Sequence, residues 1–131
     1  MIPITTDRII EVIRDEICNP ELNLNFICYK LQCSDKTIFR RVKEDFKTTP
    51  SQLIECIRLF KIFKYTYDHK CSVFESARIY GLVKRDSLHK ITKRRFNKTP
   101  CEIEYELAIV ENRKSNFHDY HKGFLIKNLL L

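Results

Sequence analysis

Glycine occurs only twice and proline four times in 131 residues, and no stretch alternates apolar and polar residues as a half-buried strand would. A turn-rich β architecture is thereby disfavoured, and a mostly helical chain is expected. There is no glycine loop to cradle a phosphate, no pairing of nucleophile with base and no cluster of metal ligands. These gaps argue against an enzyme, so no catalytic residue, metal or cofactor is expected. The six cysteines (18, 28, 33, 56, 71 and 101) contain no C-x-x-C and match no zinc spacing. Cys18, Cys28, Cys33 and Cys56 lie among apolar neighbours, which predicts small buried hydrophobes in a reducing cytoplasm. A redox sensor is the alternative, without a dedicated signal. His118 and His121, three apart, are too few for a metal. Met1-Ile-Pro-Ile-Thr lacks the basic region and apolar core of a signal peptide. The apolar stretch Phe124 to Leu131 is far too short to cross a bilayer. No membrane partner is expected, and the expected compartment is the cytoplasm.

What the chain does have is positive charge, in one place. Hydrophobic residues make up 44% and charged residues 31%, as in a soluble globular protein. The length suits one domain, or two small lobes sharing an element. The formal net charge is +7. From Lys84 to Lys98, Lys84, Arg85, Lys90, Lys93, Arg94, Arg95 and Lys98 stand against Asp86 alone. That segment is therefore +6, and the remainder is nearly neutral. A patch on one element implies a polyanionic partner. On a helix, Leu88, Ile91, Thr92 and Phe96 share one side, while Asp86, Lys90, Lys93 and Arg94 fall largely opposite. Such a helix can lie in a DNA groove; the plainer reading is a solvated basic face.

The stretch is repeated. A shift of 50 residues brings Ile38 onto Leu88, Phe46 onto Phe96 and FKTTP (Phe46 to Pro50) onto FNKTP (Phe96 to Pro100). A short helical segment precedes each copy, Asn23 to Leu31 and Ser72 to Tyr80. Two copies of helix, tight turn and helix make a double helix-turn-helix. The first basic segment is weaker: Asp35 to Lys47 carries five positive and three negative groups, or +2.

In chain order, Thr5 or Thr6 caps a helix to about Cys18, with Ile9, Ile10, Ile13 and Ile17 inward and Asn19-Pro20 as its end. Asn23 caps the next helix, Gln32-Cys33 turns, and Ser34 caps the helix to about Lys47. Ile38, Val42 and Phe46 face its core. Cys28 corresponds to Ala77, small residues where helices cross closely. Thr49-Pro50-Ser51-Gln52 opens a long helix to about Asp68. Glu55, Arg58, Lys61, Lys64 and Asp68 form its polar face, and so broad an apolar remainder suits a connector packed on a lobe at each end. Ser72 to Glu75 reads as a capping box, Gly81 as a turn with positive φ, and Arg85 to about Asn97 as the basic helix. A last helix runs from Pro100 to about Glu111, with Ile103, Leu107 and Val110 inward. The expected fold is all-α, about seven helices: two helix-turn-helix lobes (1–48 and 70–111), a connecting helix (49–69) and a tail (112–131) of unknown role.

From about Thr6 to Glu106 the chain resembles the DNA-binding domain of AraC/XylS-type bacterial transcription regulators, and its length is that of their short, stand-alone members. Ala77, Gly81, Leu88, Phe96 and Thr99-Pro100 carry the likeness in the second motif; Ser34, Ile38, Arg40, Pro50 and Arg58 carry it in the first. Lys90 stands where the family has Arg. Gln32, Lys47 and Asn97 replace glycines, Val42 and Thr92 replace aromatics, and Ser76 replaces a large aliphatic residue. The resemblance implies a monomer on double-stranded DNA, two recognition helices in successive major grooves, promoter binding and contact with RNA polymerase. By position, Lys36, Phe39 and Arg40, and Arg85, Asp86, Ser87 and Lys90, are expected to reach base edges. Ser34, Lys43, Lys93 and Arg94 are expected on phosphates. Phe39 either meets a thymine methyl or tucks into the core. Asp86 either accepts from cytosine or caps its helix, with capping the plainer role. A degenerate double helix-turn-helix that binds another regulator or the polymerase is the competing expectation. So is one in which only the second motif grips DNA.

Overall fold

The computed structural model describes residues 4–112, with side chains to residue 108. The expected placements of the Val110 side chain, of His118 and His121 and of the tail fall outside those limits. The described residues form seven α-helices and no strand: α1 Thr6–Asp15, α2 Leu24–Leu31, α3 Asp35–Phe46, α4 Pro50–His69, α5 Val73–Ile79, α6 Arg85–Phe96 and α7 Pro100–Asn112. None is long and apolar enough to cross a membrane.

Short polar side chains start most of these helices. Thr5, Asn23, Ser34, Thr49 and Ser72 each accept a hydrogen bond from the amide three residues on. At α7 the bond is reciprocal: Glu102 N donates to Thr99 Oγ1 (3.2 Å) and the Glu102 carboxylate accepts from Thr99 N (3.4 Å). Elsewhere the expected boxes close only by half. Gln52 Oε1 accepts instead from the Thr48 hydroxyl (2.7 Å). At α5 the Val73 amide reaches across to Glu104 of α7 (2.7 Å). α1 stops at Asp15, short of Cys18, and turns follow to residue 21.

Left-handed residues follow five of the helices. Gln32, Lys47, Lys70 and Asn97 have φ of 52°, 59°, 54° and 56°, and Gly81 has 90°. Gln32, Lys47 and Asn97 therefore keep a glycine-like backbone without glycine's freedom. Gln32 and Gly81 are 49 apart, whereas Lys47 and Asn97 are 50 apart. The second copy thus holds one extra residue between its turn and its second helix. Val83, 57% exposed, occupies that stretch.

Two cores form on one long helix. Ile9, Ile13, Ile17, Leu22, Ile27, Leu31, Ile38 and Val42 gather on Leu53 and Ile54 of α4. Val73, Ala77, Leu88, Ile103 and Leu107 gather on Leu59, Ile62 and Phe63 further along it. Tyr80 packs against both. Ser76, fully buried where an aliphatic residue is usual, is satisfied: its hydroxyl accepts from Thr66 (2.7 Å) and donates to the Ser72 carbonyl (3.2 Å).

Arg58 departs from the expected polar face of α4. It is buried, 7% exposed, because its guanidinium reaches back to the turn after α1. Nε donates to the Ile17 carbonyl (3.2 Å) and Nη2 to the Asn19 carbonyl (2.8 Å). Burial lowers its pKa, with a smaller opposing effect from Cys18. The cysteines depart too. Only Cys56 is buried; Cys18 and Cys101 are exposed, and Cys28, Cys33 and Cys71 are half-buried. Cys18 escapes because α1 has already ended and the chain there runs over the surface.

Two stability outcomes follow. Arg58→Met leaves two carbonyls without a charged donor and should cost about 2–4 kcal/mol in urea unfolding, with Arg58→Lys between it and the wild type. Lys47→Gly should stabilise by about 1 kcal/mol, because glycine relieves the left-handed strain, and Asn97→Gly by less, because asparagine tolerates that region.

Candidate nucleic-acid interface

The second helix of each unit is held from below and left open above. Under α3, Ile38 and Val42 are fully buried. Above it Lys36, Phe39, Arg40 and Lys43 are exposed. Phe39 is 43% exposed and lines a shallow cleft with Leu24, Asp35, Lys36 and Arg40, so it does not tuck into the core. Ser34 is exposed, but its hydroxyl is already used. It accepts from Thr37 N (3.2 Å) and pairs with the Thr37 hydroxyl (2.9 Å). Its first role is to start α3.

Under α6, Leu88 and Thr92 are fully buried, and the Thr92 hydroxyl donates to the His89 carbonyl (3.2 Å). Val42 under α3 and Thr92 under α6, both small, are thus fully buried. Above, Arg85, Asp86, Lys90, Lys93 and Arg94 are exposed and Ser87 is half-buried. The expectation that Asp86 caps this helix is corrected. The capping position is Lys84, where the 50-residue repeat of Ser34 falls, and it offers no side-chain bond. Asp86 lies inside the first turn, where its charge favours the positive end of the helix dipole. The Arg85 guanidinium rests over the Phe74 ring, 4.6 Å from its centre, at the edge of a groove that includes Val83 and Lys84.

The basic patch is smaller than the residue count implied. Glu55 of α4 takes Arg94 (2.6 Å) and Arg95 together. Arg95 also donates to Cys56 Sγ (3.2 Å) and to the Gln52 carbonyl (3.4 Å), and its side chain is 11% exposed. It is a structural cation. Lys98 pairs with Glu106. With Glu55 and Glu106 counted beside Asp86, the seven cations leave +4, not +6. Lys84, Arg85, Lys90 and Lys93 have no ion-pair partner among the described residues, so the contrast with the +2 of α3 narrows. The expected phosphate anchors separate accordingly. Lys43 and Lys93 are open, whereas Arg94 must share itself with Glu55. Sequence patterns did not mark Glu55 as the holder of α6, because its partners lie 39 and 40 residues away.

Double-mutant cycles should divide this cluster. Glu55 with Arg94, whose side chain is 64% exposed, should couple by less than about 1 kcal/mol and lose that coupling in high salt. Glu55 with Arg95, both largely shielded, should couple by about 1.5–3 kcal/mol and persist. Denaturant midpoints of the four variants in each cycle measure both.

No family model, no curated protein and no solved structure matches the chain.

Proposed function

We propose that the protein is a sequence-specific regulator of transcription that binds double-stranded DNA, with α3 and α6 entering successive major grooves. One observation carries this reading. The same unit of helix, left-handed turn and helix occurs twice on one shared helix, and each copy leaves the outer face of its second helix open and rich in donors. Exposed cations supply phosphate attraction, and donors on a helix of this size fit the major groove's pattern of acceptors. Lys36, Phe39 and Arg40 are the readers of the first unit, with Phe39 suited to a thymine methyl. Arg85, Ser87 and Lys90 are those of the second, and Asp86 adds an acceptor for a cytosine amine. Lys43 and Lys93 anchor phosphates, joined by Arg94 as Glu55 allows. The resemblance to AraC/XylS-type regulators adds a monomer acting at promoters, with RNA polymerase as a protein partner.

A protein-docking module is the second reading. Phe39 favours it, since an exposed ring among cations serves an apolar partner as well as a base. Salt separates the two, because binding that neutralises phosphates falls steeply with ionic strength.

The test is selection from random duplexes of about 25 base pairs at two salt concentrations. A bipartite motif with halves about one helical turn apart is expected. Lys90→Ala should cost about 1–3 kcal/mol and relax preference in one half. Lys93→Ala should weaken all sequences alike and reduce the salt slope by about 1. Sequence-blind binding would remove base readout from the proposal. No binding at either salt would replace DNA with a protein partner.

A further inference from the structure

We infer that Cys28 and Cys33 are a disulfide-forming pair, closed across the turn of the first unit by an oxidised low-molecular-weight thiol such as glutathione disulfide. The inference is independent of the nucleic-acid reading. It starts from how α2 ends. Gln32 is left-handed, and the Cys33 amide donates to the Cys28 carbonyl (3.2 Å), a bond that steps over the whole turn. In such closures the side chains at the two ends of the bond commonly meet. The second unit makes the same bond, Leu82 N to the Ala77 carbonyl (2.8 Å), around Gly81. There the two side chains are an ordinary apolar pair, both packed in the second core. In the first unit both members are thiols.

Proximity and access agree. Cys28 and Cys33 both pack at the margin of the first core, both are half-buried, and both line an open cleft with Tyr29, Lys30, Gln32 and Ser34. The amide-to-carbonyl bond holds the two backbones together, and a disulfide needs its two residues at such close range. The Cys28 thiol is held above its ordinary pKa by burial first, then by Cys33 itself and by Asp35; burial raises Cys33 as well. Lys30 is the cation on the same cleft. Little thiolate is present at neutral pH, so exchange is slow there and quickens in alkali.

The chemistry balances. One cysteine loses its proton and attacks a sulfur of glutathione disulfide. That S–S bond breaks, and one glutathione leaves as a thiolate and is protonated. The second cysteine then attacks the protein sulfur of the mixed disulfide and releases the second glutathione. Two protein thiols are oxidised, and one glutathione disulfide is reduced to two thiols. The product ties the end of α2 to the residue before Ser34, the cap of α3.

The full-length chain is incubated with glutathione disulfide, its remaining thiols are alkylated, and it is digested with trypsin. Lys30 lies between the two cysteines, so the closed pair holds two tryptic peptides together. The expected result is that the 28–33 link is the first and most abundant intramolecular disulfide. It should be absent from Cys28→Ala/Cys33→Leu, which installs the second unit's own pair and should keep the wild-type helical circular dichroism. Single glutathione adducts as the end product, or an earlier link between Cys71 and Cys101, which share a hollow on the second lobe, would overturn the inference.

Discussion

The buried guanidinium of Arg58 is the constraint on which the arrangement of this molecule depends. It stands on α4 between the two cores and is held by carbonyls, without an acid among the described residues. A buried cation is tolerated only when its protons are taken up. The turn after α1 supplies that acceptance, so the first lobe is fixed to the connector by a polar clamp as well as by packing. The other side of the same group meets the second lobe. A Cβ on Gly81 would lie 3.2 Å from Arg58 Nη2, and φ there is +90°. Glycine is therefore required twice over, by backbone conformation and by the closeness of the guanidinium. One side chain thus links the end of α1, the middle of α4 and the turn of the second helix-turn-helix.

Glu55 extends this link to α6. Its position one turn before Arg58 lets a single carboxylate draw Arg94 and Arg95 onto α4. The consequence is a division of labour within the basic segment. Arg95 is withdrawn from the surface, Arg94 is shared, and Lys84, Arg85, Lys90 and Lys93 carry the outward charge. Like charges crowded on one helix repel, and an acid beneath them relieves that repulsion while orienting the helix. The arrangement lowers the net field and sharpens where it points. That suits a surface meant to seat in one register better than one meant to adhere anywhere.

Most of the fold was legible because it is written in local chemistry. Polar caps at Thr5, Asn23, Ser34, Thr49 and Ser72, and apolar residues at helical spacing, mark the helix starts within the reach of a few bonds. The breadth of the apolar surface on α4 foretold a connector serving two cores. What stayed hidden depends on long reach. Arg58 read as part of a polar face because its acceptors lie 39 and 41 residues away. Glu55 read as part of the same polar face, because its partners lie 39 and 40 residues away. Cys18 was misjudged because apolar neighbours in sequence do not fix burial where a helix has already ended, and Cys28 and Cys33 because they stand at the margin of the first core. Asp86 was misjudged because the helix has already begun at Arg85, which leaves Asp86 inside the first turn and the capping position to a lysine. For the site, the exposure of Lys36, Phe39, Arg40, Asp86 and Lys90 followed from periodicity, but the half-burial of Ser87 and the number of cations left free did not.

The two copies show how a repeat can diverge once its shared helix is in place. Both need a left-handed residue at the turn, but only the second turn lies against Arg58. Gly81 is held to glycine by that contact, whereas Gln32 is not; it bears backbone strain on the order of 1–2 kcal/mol and keeps a side chain at the surface. The same asymmetry reaches the residues the turns bring together. Around Gly81 the pair faces a core that includes Leu88 and Phe63, and apolar Ala77 and Leu82 fill it. Around Gln32 the pair sits at the margin of its core beside an open cleft, and thiols fill it. The first unit is thus the more chemically exposed at its turn, while the connector holds the first lobe through Arg58 and the second through Glu55 and Tyr80. A partner that engages both would meet a second helix held to the connector by Glu55, and a first whose turn opens onto a cleft.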